Sequence, residues 1–416
     1  MSATGIRPAP AAVERPAHRD GNVLRWLTAY TASMIGDSVY FLALSWAATR
    51  TGSPAQAGLV LAVGAVPRAI LMLGGGVVAD RFGPRRVVIG SDAVRCLVIL
   101  GVAALLLLAT PGIWVLAVVA LVFGVVDALF LPSVGALPAR ITAPGQLARV
   151  QGMRGVAARV ATVTGGPLGG IAVATGGSAA AFGVAGVLFA GSLVLLLAVR
   201  VRELPADDTA GEPASAWRDL ADGLRYIRGH RVLAPLMIVI AVGELGFSGP
   251  ANIGLVLLVE ERGWGASGQG WIIAGFGAGA GLASLLLAVR GRVPRAGAVL
   301  SWVAFPGTAA LAALGFVPSV AGAVVAALVL GALLGLCGAL CGALAQTVSE
   351  PAYLGRVTAV GSLFTLGVAP LCYPVVGAAI GAWGIEPVFV ACAALSAAGG
   401  VIGLCSKPLR QAELPR

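Results

Sequence analysis

The chain has 416 residues, of which 58% are hydrophobic and 11% charged, and its mean hydropathy of +0.94 lies far from that of soluble domains. This composition excludes a water-soluble enzyme or binding module and points to an integral membrane protein. The net charge of +10 does not call for nucleic acid, because basic loops on one side of a bilayer and contact with anionic lipid account for it.

In chain order, residues 1–22 are Pro/Ala-rich and polar, as expected of a cytoplasmic tail rather than a cleavable signal. Apolar runs of roughly 20 residues then recur, each long enough to cross about 30 Å of hydrocarbon as a helix. Glycine, proline and charge clusters punctuate them into twelve predicted spans, at 24–48, 55–79, 86–109, 113–137, 148–174, 179–200, 232–257, 267–289, 297–316, 320–346, 355–381 and 386–406. The alternation of a membrane barrel is absent. The predicted fold class is therefore all-α integral membrane, with twelve transmembrane helices in two six-helix bundles.

The bundles are expected at residues 23–200 and 232–407, with a central cytoplasmic loop at 201–231 and a tail at 408–416. In the loop, Trp217, Leu220, Leu224, Tyr226 and Ile227 share one face at helical spacing, which predicts an amphipathic helix at the interface. With both termini in the cytoplasm, the outer loops hold only Arg50 and Arg262, the arrangement of a multi-pass inner-membrane protein. A chain of six plus six spans is the pattern of a transporter built from repeated bundles around a central site. "SMIGDSVYF" in the first span and "IAVGELGFS" in the seventh each place a carboxylate after a glycine near mid-span, so Asp37 and Glu244 read as positional equivalents.

Chemistry other than transport finds little support. The single lysine, Lys407, is followed by proline and makes no phosphate-binding loop. Both histidines, His18 and His230, fall in cytoplasmic segments, and the six cysteines fit small apolar packing; Cys337 and Cys341 share a helix face but lack a third ligand for a metal. No metal, cofactor or activated nucleophile is expected.

The residues after the second span, "GGGVVADRFGPRRVVIG", carry an ordered pattern G-x-x-x-D-R-x-G-x-R-R. Gly76 allows close helix approach, Gly83 permits a tight turn, and Arg81, Arg85 and Arg86 hold the loop inside. The pattern resembles the loop 2–3 signature of the major facilitator superfamily. The resemblance implies that Asp80, with Arg81 and Arg85 as charged partners, engages the opposite bundle and helps latch the outward-facing state. "FLPSVGALPARI", "TGGPLGGIAVA" and "EPAYLGRVTAVGSLF" extend the likeness. Gly166, Pro167, Gly169 and Gly170 look like the core of the family's antiporter motif, although Thr162 stands where a glycine is expected. With "DAVR" in the third span, the whole is similar to macrolide-efflux-like drug:proton antiporters. The resemblance implies export; a small, amphipathic or antibiotic-like cargo and a monomer are expected, and the Arg-for-Lys bias with Ala/Gly richness points to a bacterial source. A proton-independent facilitator or importer, and a non-transporting receptor, are the alternative readings.

Charge within the membrane costs roughly 2.5–3.5 kcal/mol per residue and is paired or hydrated. Counting about 1.5 Å per residue along each span pairs Arg95 with Asp127 at roughly 15 Å, and Asp92 with Arg154 at roughly 10 Å, near the cytoplasmic gate. Asp37, Arg68, Arg159 and Glu244 fall near the midplane. Asp37 and Glu244 are the proton-coupling candidates. Arg68, Arg95, Asp127, Arg159, Tyr40 and Asn252 are candidates for lining the substrate cavity.

Overall fold

The computed structural model describes residues 19–109, 111–142, 146–201, 216–290, 293–350, 353–365 and 369–413, without the side chains of 72–81, 139, 148, 216, 217, 219, 288–290 and 369. The tail through residue 18, the 202–215 part of the central loop and residues 414–416, read above from sequence, lie outside the described residues.

Each helix begins and ends on local signals. Helix α1 (Gly21–Thr51) starts at Asp20, whose carboxylate accepts the Asn22 N–H at 2.8 Å. Helix α2 (Pro54–Phe82) opens with a capping box of Ser53 and Gln56 and stops at Gly83, whose φ of 82° suits glycine, before α3 (Pro84–Leu108) begins. Helix α4 (Ile113–Ile141) follows. Helix α5 (Leu147–Leu197) is broken at Gly176 and Gly177, the latter at φ 69°. Val150 near its start and Leu196 near its end share one buried cluster, so the chain doubles back at the glycines and α5 makes two crossings.

The second half starts with the short α6 (Ala216–Gly229), then α7 (Leu233–Gly249), a π-helical turn at Pro250–Gly254, and α8 (Leu255–Glu261). Helices α9 (Gly265–Arg290), α10 (Ala296–Leu314) and α11 (Val320–Val348) come next, followed by α12 (Leu354–Leu363), α13 (Cys372–Trp383), α14 (Ile385–Cys405) and the terminal α15 (Lys407–Arg410). Among the described residues nine helices are long and apolar enough to cross a membrane. Counting α5 twice, and adding α1 and the two-piece α12–α13, brings the crossings to the expected twelve. Helix α1 is less apolar than these nine, since Asp37 and several Ser and Thr interrupt it.

In the first bundle α1 packs on α5, α2 on α4, and α3 on both α4 and α5; in the second, α7 packs on α14, α9 on α11, and α10 on α11 and α14. The bundles meet along two seams, α5 with α9 and α2 with α13. Helix α6 belongs to the second bundle. Tyr226 stacks on Tyr353 at 4.2 Å, its hydroxyl accepts the Glu350 N–H at 3.1 Å, and Ile227 is buried. Of the expected apolar face, Leu224 remains 53% exposed.

The first and last described residues lie on one side, hereafter the termini side. Asn22 exchanges hydrogen bonds with the Arg200 backbone, and Gly297 N–H donates to Ala412 at 3.2 Å. On the opposite, loop side, one buried apolar cluster runs through both bundles, from Leu44, Val60 and Phe182 to Val256, Ile380 and Phe389. On the termini side each bundle has its own core instead, around Trp26, Phe130 and Leu137 in the first and Leu233, Leu340 and Val357 in the second. Among the described residues the two halves therefore share one core at the loop side and have separate cores at the termini side.

Close helix packing depends on glycine where backbones touch. A Cβ on Gly124 of α4 would collide with the Gly64 carbonyl of α2. Gly124→Val is expected to destabilise the first bundle by about 1–3 kcal/mol, the usual cost of overpacking, read as a lower melting temperature of purified protein in detergent.

Candidate functional site

Buried near the centre of the first bundle is a network of charge assembled from four helices. Arg95 of α3, 1% exposed, is its hub. Its Nη2 binds Asp127 of α4 in a short ion pair, while Nη1 lies 3.4 Å from Asp92 of the preceding turn and 3.8 Å from Asp37 of α1. Arg68 of α2 reaches the other oxygen of Asp127 at 3.6 Å. Ser33 donates to Asp92 at 3.1 Å and Ser192 to its second oxygen at 2.5 Å. The guanidinium carbon of Arg95 sits 4.0 Å from the Phe130 ring centroid, with Phe189 at 5.6 Å, so aromatic faces complete its surroundings.

Among the described residues this network holds three carboxylates against two guanidinium groups. When all ionise, one negative charge is in surplus inside an apolar bundle, where uncompensated charge is costly. Asp37 is held least: its nearest cation is the Arg95 nitrogen at 3.8 Å, and its buried Oδ1 has no hydrogen-bond partner. Asp92 and Asp127 each engage two or more groups.

Two cavities are found, and the smaller borders the network. The smaller, about 160 Å³, lies between the bundles on the loop side and is lined by Tyr40, Phe41, Arg68 and Asp127 together with Asn252 and Tyr373 of the second bundle. Tyr40 stacks on Phe123 at 3.8 Å, and Asn252 donates to the Ser248 carbonyl at 2.9 Å. The larger, about 880 Å³, occupies the second bundle's side of the cleft; it runs from Glu244 and Phe247 to Gln346, Val357 and Thr358 near the termini-side ends of α11 and α12. Arg159 of the first bundle also lines it and reaches Ser284 of α9 at 3.5 Å. Glu244 makes no ion pair or hydrogen bond among the described residues.

The loop-side seal is built from backbone approach and one ion pair. A Cβ on Gly166 would come within 2.7 Å of the Gly270 carbonyl, and one on Gly170 within 2.5 Å of the Ala266 carbonyl, so these two face α9 across the seam. Gly169 faces α1 instead, against Val39, and Pro167 lies inside α5. Glycine 58 of α2 meets the Tyr373 backbone, and Arg50 pairs with Glu260 at 3.3 Å between the bundles. Arg262 pairs with Glu386 at 2.8 Å inside the second bundle. A wedge in the seam should open it: Gly270→Leu is expected to favour the loop-side-open state about tenfold, given about 1–3 kcal/mol of overpacking. The readout is faster alkylation of a cysteine at the cavity position Asn252→Cys, followed site by site by mass spectrometry.

Of the residues singled out by sequence, Asp37, Arg68, Asp92, Arg95 and Asp127 are brought together, and Tyr40 and Asn252 line the smaller cavity. Asp92 does not pair with Arg154, as depth alone predicted. It pairs with Arg95 three residues along its own helix, a geometry that side chains at this spacing favour, and belongs to the buried network rather than to a surface gate. Arg154 is half-buried and has no ion pair among the described residues. Arg95 lines neither cavity. Arg85 donates to the Leu197 carbonyl at 2.9 Å, which ties the turn at Gly83 to the end of α5, while Arg86 is exposed. The side chains of Asp80 and Arg81, and the surroundings of Gly76, lie outside the described residues. Ser33, Ser192, Phe130 and Phe189 were not singled out. Ser33 precedes Asp37 by four residues, so helical spacing marks it; the other three have no local signal.

Two bundles around a cleft that is sealed at one side, with a charged interior and no strand among the described residues, have the architecture of a secondary transporter. The family model of the Major Facilitator Superfamily matches residues 26–365, and the chain belongs to that family. It is a multi-pass membrane transporter, not an enzyme. It is 26% identical over 392 residues to the multidrug efflux pump Tap of Mycobacterium bovis and of Mycobacterium tuberculosis, covering 91% of this chain and 92% of Tap. Among solved structures, the nucleoside transporter NupG superposes with a TM-score of 0.74 at 14% identity, over 93% of this chain and 99% of NupG. A bacterial homologue of the human lysosomal transporter Spinster, inward-facing and occupied, gives 0.66 at 14% over 93% and 95%. At such identities these structures speak to the fold alone.

Proposed function

We propose that this transporter exports a small amphipathic molecule in exchange for protons by alternating access, with the termini side in the cytoplasm. The observation that carries the reading is the arrangement of the buried cores: continuous across both bundles at the loop side, separate at the termini side. With the termini side in the cytoplasm, this arrangement is an inward-open state, the one in which an exporter takes up its cargo. Alternation then requires the termini-side halves to close while the glycine seams open.

The surplus carboxylate in the Arg95 network supplies the coupling. A proton taken from outside resides on Asp37 and brings the network to neutrality; its release to the cytoplasm restores the surplus and draws Arg95 toward Asp37. Because Arg95 also holds α4 through Asp127, a proton at Asp37 changes how α1, α3 and α4 are tied. The substrate resides in the larger cavity, with Glu244 as its charged anchor. The likeness to Tap, named as a multidrug efflux pump, supports the direction and a drug-like cargo, while basic residues concentrated toward the termini side support the orientation.

The test is expression in a bacterial host stripped of its own efflux pumps, challenged with a panel of amphipathic antibiotics. A raised inhibitory concentration for at least one compound, lost in Asp37→Asn at equal protein level, is expected. No change across the panel in cells whose membranes hold the folded protein would count against export.

A further inference from the structure

The larger cavity contains two opposite charges that do not meet. Glu244 projects into it from α7 of the second bundle and Arg159 from α5 of the first. Neither makes an ion pair among the described residues; Arg159 reaches only the Ser284 hydroxyl, at 3.5 Å, and Glu244 has no polar partner. Most of the remaining lining is apolar or small, including Phe276 stacked on Phe247 at 5.6 Å. In a medium of low dielectric, unlike charges attract strongly over several ångströms and a lone charge is costly. The two belong to different bundles, Glu244 to the second and Arg159 to the first. The interior network shows the alternative, since every charge in it touches an opposite one.

We infer that the cavity is built for zwitterionic amphiphiles, molecules that carry a cation at one end and a carboxylate or similar anion at the other across an apolar or aromatic body. The inference rests on the reading of this cavity as the substrate site. The cation sits on Glu244 beside the Phe247 and Phe276 rings, the anion on Arg159, and the body fills the volume between. A guanidinium binds a carboxylate with a charge-assisted, bidentate hydrogen-bond pair, which makes Arg159 the discriminating group. The ligand also bridges the bundles. As they rock, the distance between Arg159 and Glu244 changes, so a molecule of fixed length matches one state and is released from the other.

The probes are rhodamine B, whose xanthene cation and free benzoate share one scaffold, and its ethyl ester, which keeps the cation alone. Binding to protein in lipid nanodiscs is measured by fluorescence anisotropy, with empty nanodiscs as the blank. The acid is expected to bind about tenfold more tightly than the ester, the size of one charge-assisted hydrogen-bond pair. Arg159→Gln should bring the acid to the ester's affinity and leave the ester unchanged, which also reports that the variant is folded. Arg159→Lys should keep part of the preference, and Glu244→Gln should weaken both dyes. Equal affinities for acid and ester, equal losses of both in Arg159→Gln, or no saturable binding of either dye would overturn the inference. The assay uses no gradient and assigns no direction, so charge selectivity can survive a failure of the export reading, and export can survive a failure of selectivity.

Discussion

Asp37→Asn is expected to abolish export driven by a proton gradient while leaving the chain folded. Asparagine has the shape of a protonated aspartate, and it fixes the Arg95 network in the neutral state that the proton otherwise produces. Two carboxylates then face two guanidinium groups, and the surplus charge is gone. Asp37 is the member for which this substitution costs least in structure, since one of its oxygens has no partner and the other lies 3.8 Å from Arg95. Gradient-driven efflux from energised vesicles should fall by about 100-fold or more, the lower range for losing a positioned proton carrier. Exchange of labelled for unlabelled compound across the same membrane, which needs no net proton movement, should persist. Loss of exchange together with efflux would instead assign Asp37 a role in holding the substrate or the fold.

Arg95→Met should have the largest effect on stability. The guanidinium is 1% exposed and touches Asp37, Asp92 and Asp127 from three helices, so its removal strands carboxylates in an apolar interior. Breaking a buried pair from one side costs about 3–5 kcal/mol, enough to deplete the folded protein in membranes. The larger part of the cost is that of uncompensated charge, because methionine keeps an apolar stem of similar length while only the contact of the guanidinium with the Phe130 ring is lost. Adding Asp92→Asn and Asp127→Asn to Arg95→Met should therefore recover much of the melting temperature in detergent. Failure of that rescue would mean that the hub acts chiefly through its geometry. Arg68 is more exposed and, among the described residues, pairs with a single carboxylate, that of Asp127, so Arg68→Gln should cost clearly less.

The membrane helices were legible because hydrocarbon thickness imposes a run of apolar residues, and composition carries that signal directly. The break in α5 was legible too, since Gly176 and Gly177 interrupt the run. The π-helical turn at Pro250–Gly254 was not, because a shift from four- to five-residue hydrogen bonding leaves composition unchanged. The charges show a similar division. Depth along a span follows from counting, and it matched Arg95 with Asp127 correctly. Depth carries no azimuth, and it therefore paired Asp92 with Arg154 although Arg95 stood one turn away on the same helix. Ser192 and Phe189 come from the second crossing of α5, and only the packing of α5 on α3 brings them to Asp92 and Arg95. Asp37 and Glu244 follow similar glycine-containing stretches in the sequence, yet one lies beside an arginine and the other lines a cavity with no ion pair among the described residues.

Proton movement measured alongside substrate movement tests the account most directly. Purified protein is placed in liposomes that enclose a pH-sensitive dye, and a compound identified from the resistance panel is supplied as the only gradient. The account predicts that the compound's movement drives protons the opposite way and that this proton signal disappears in Asp37→Asn. Compound crossing at the same rate in both proteins, with no proton movement in either, would contradict it.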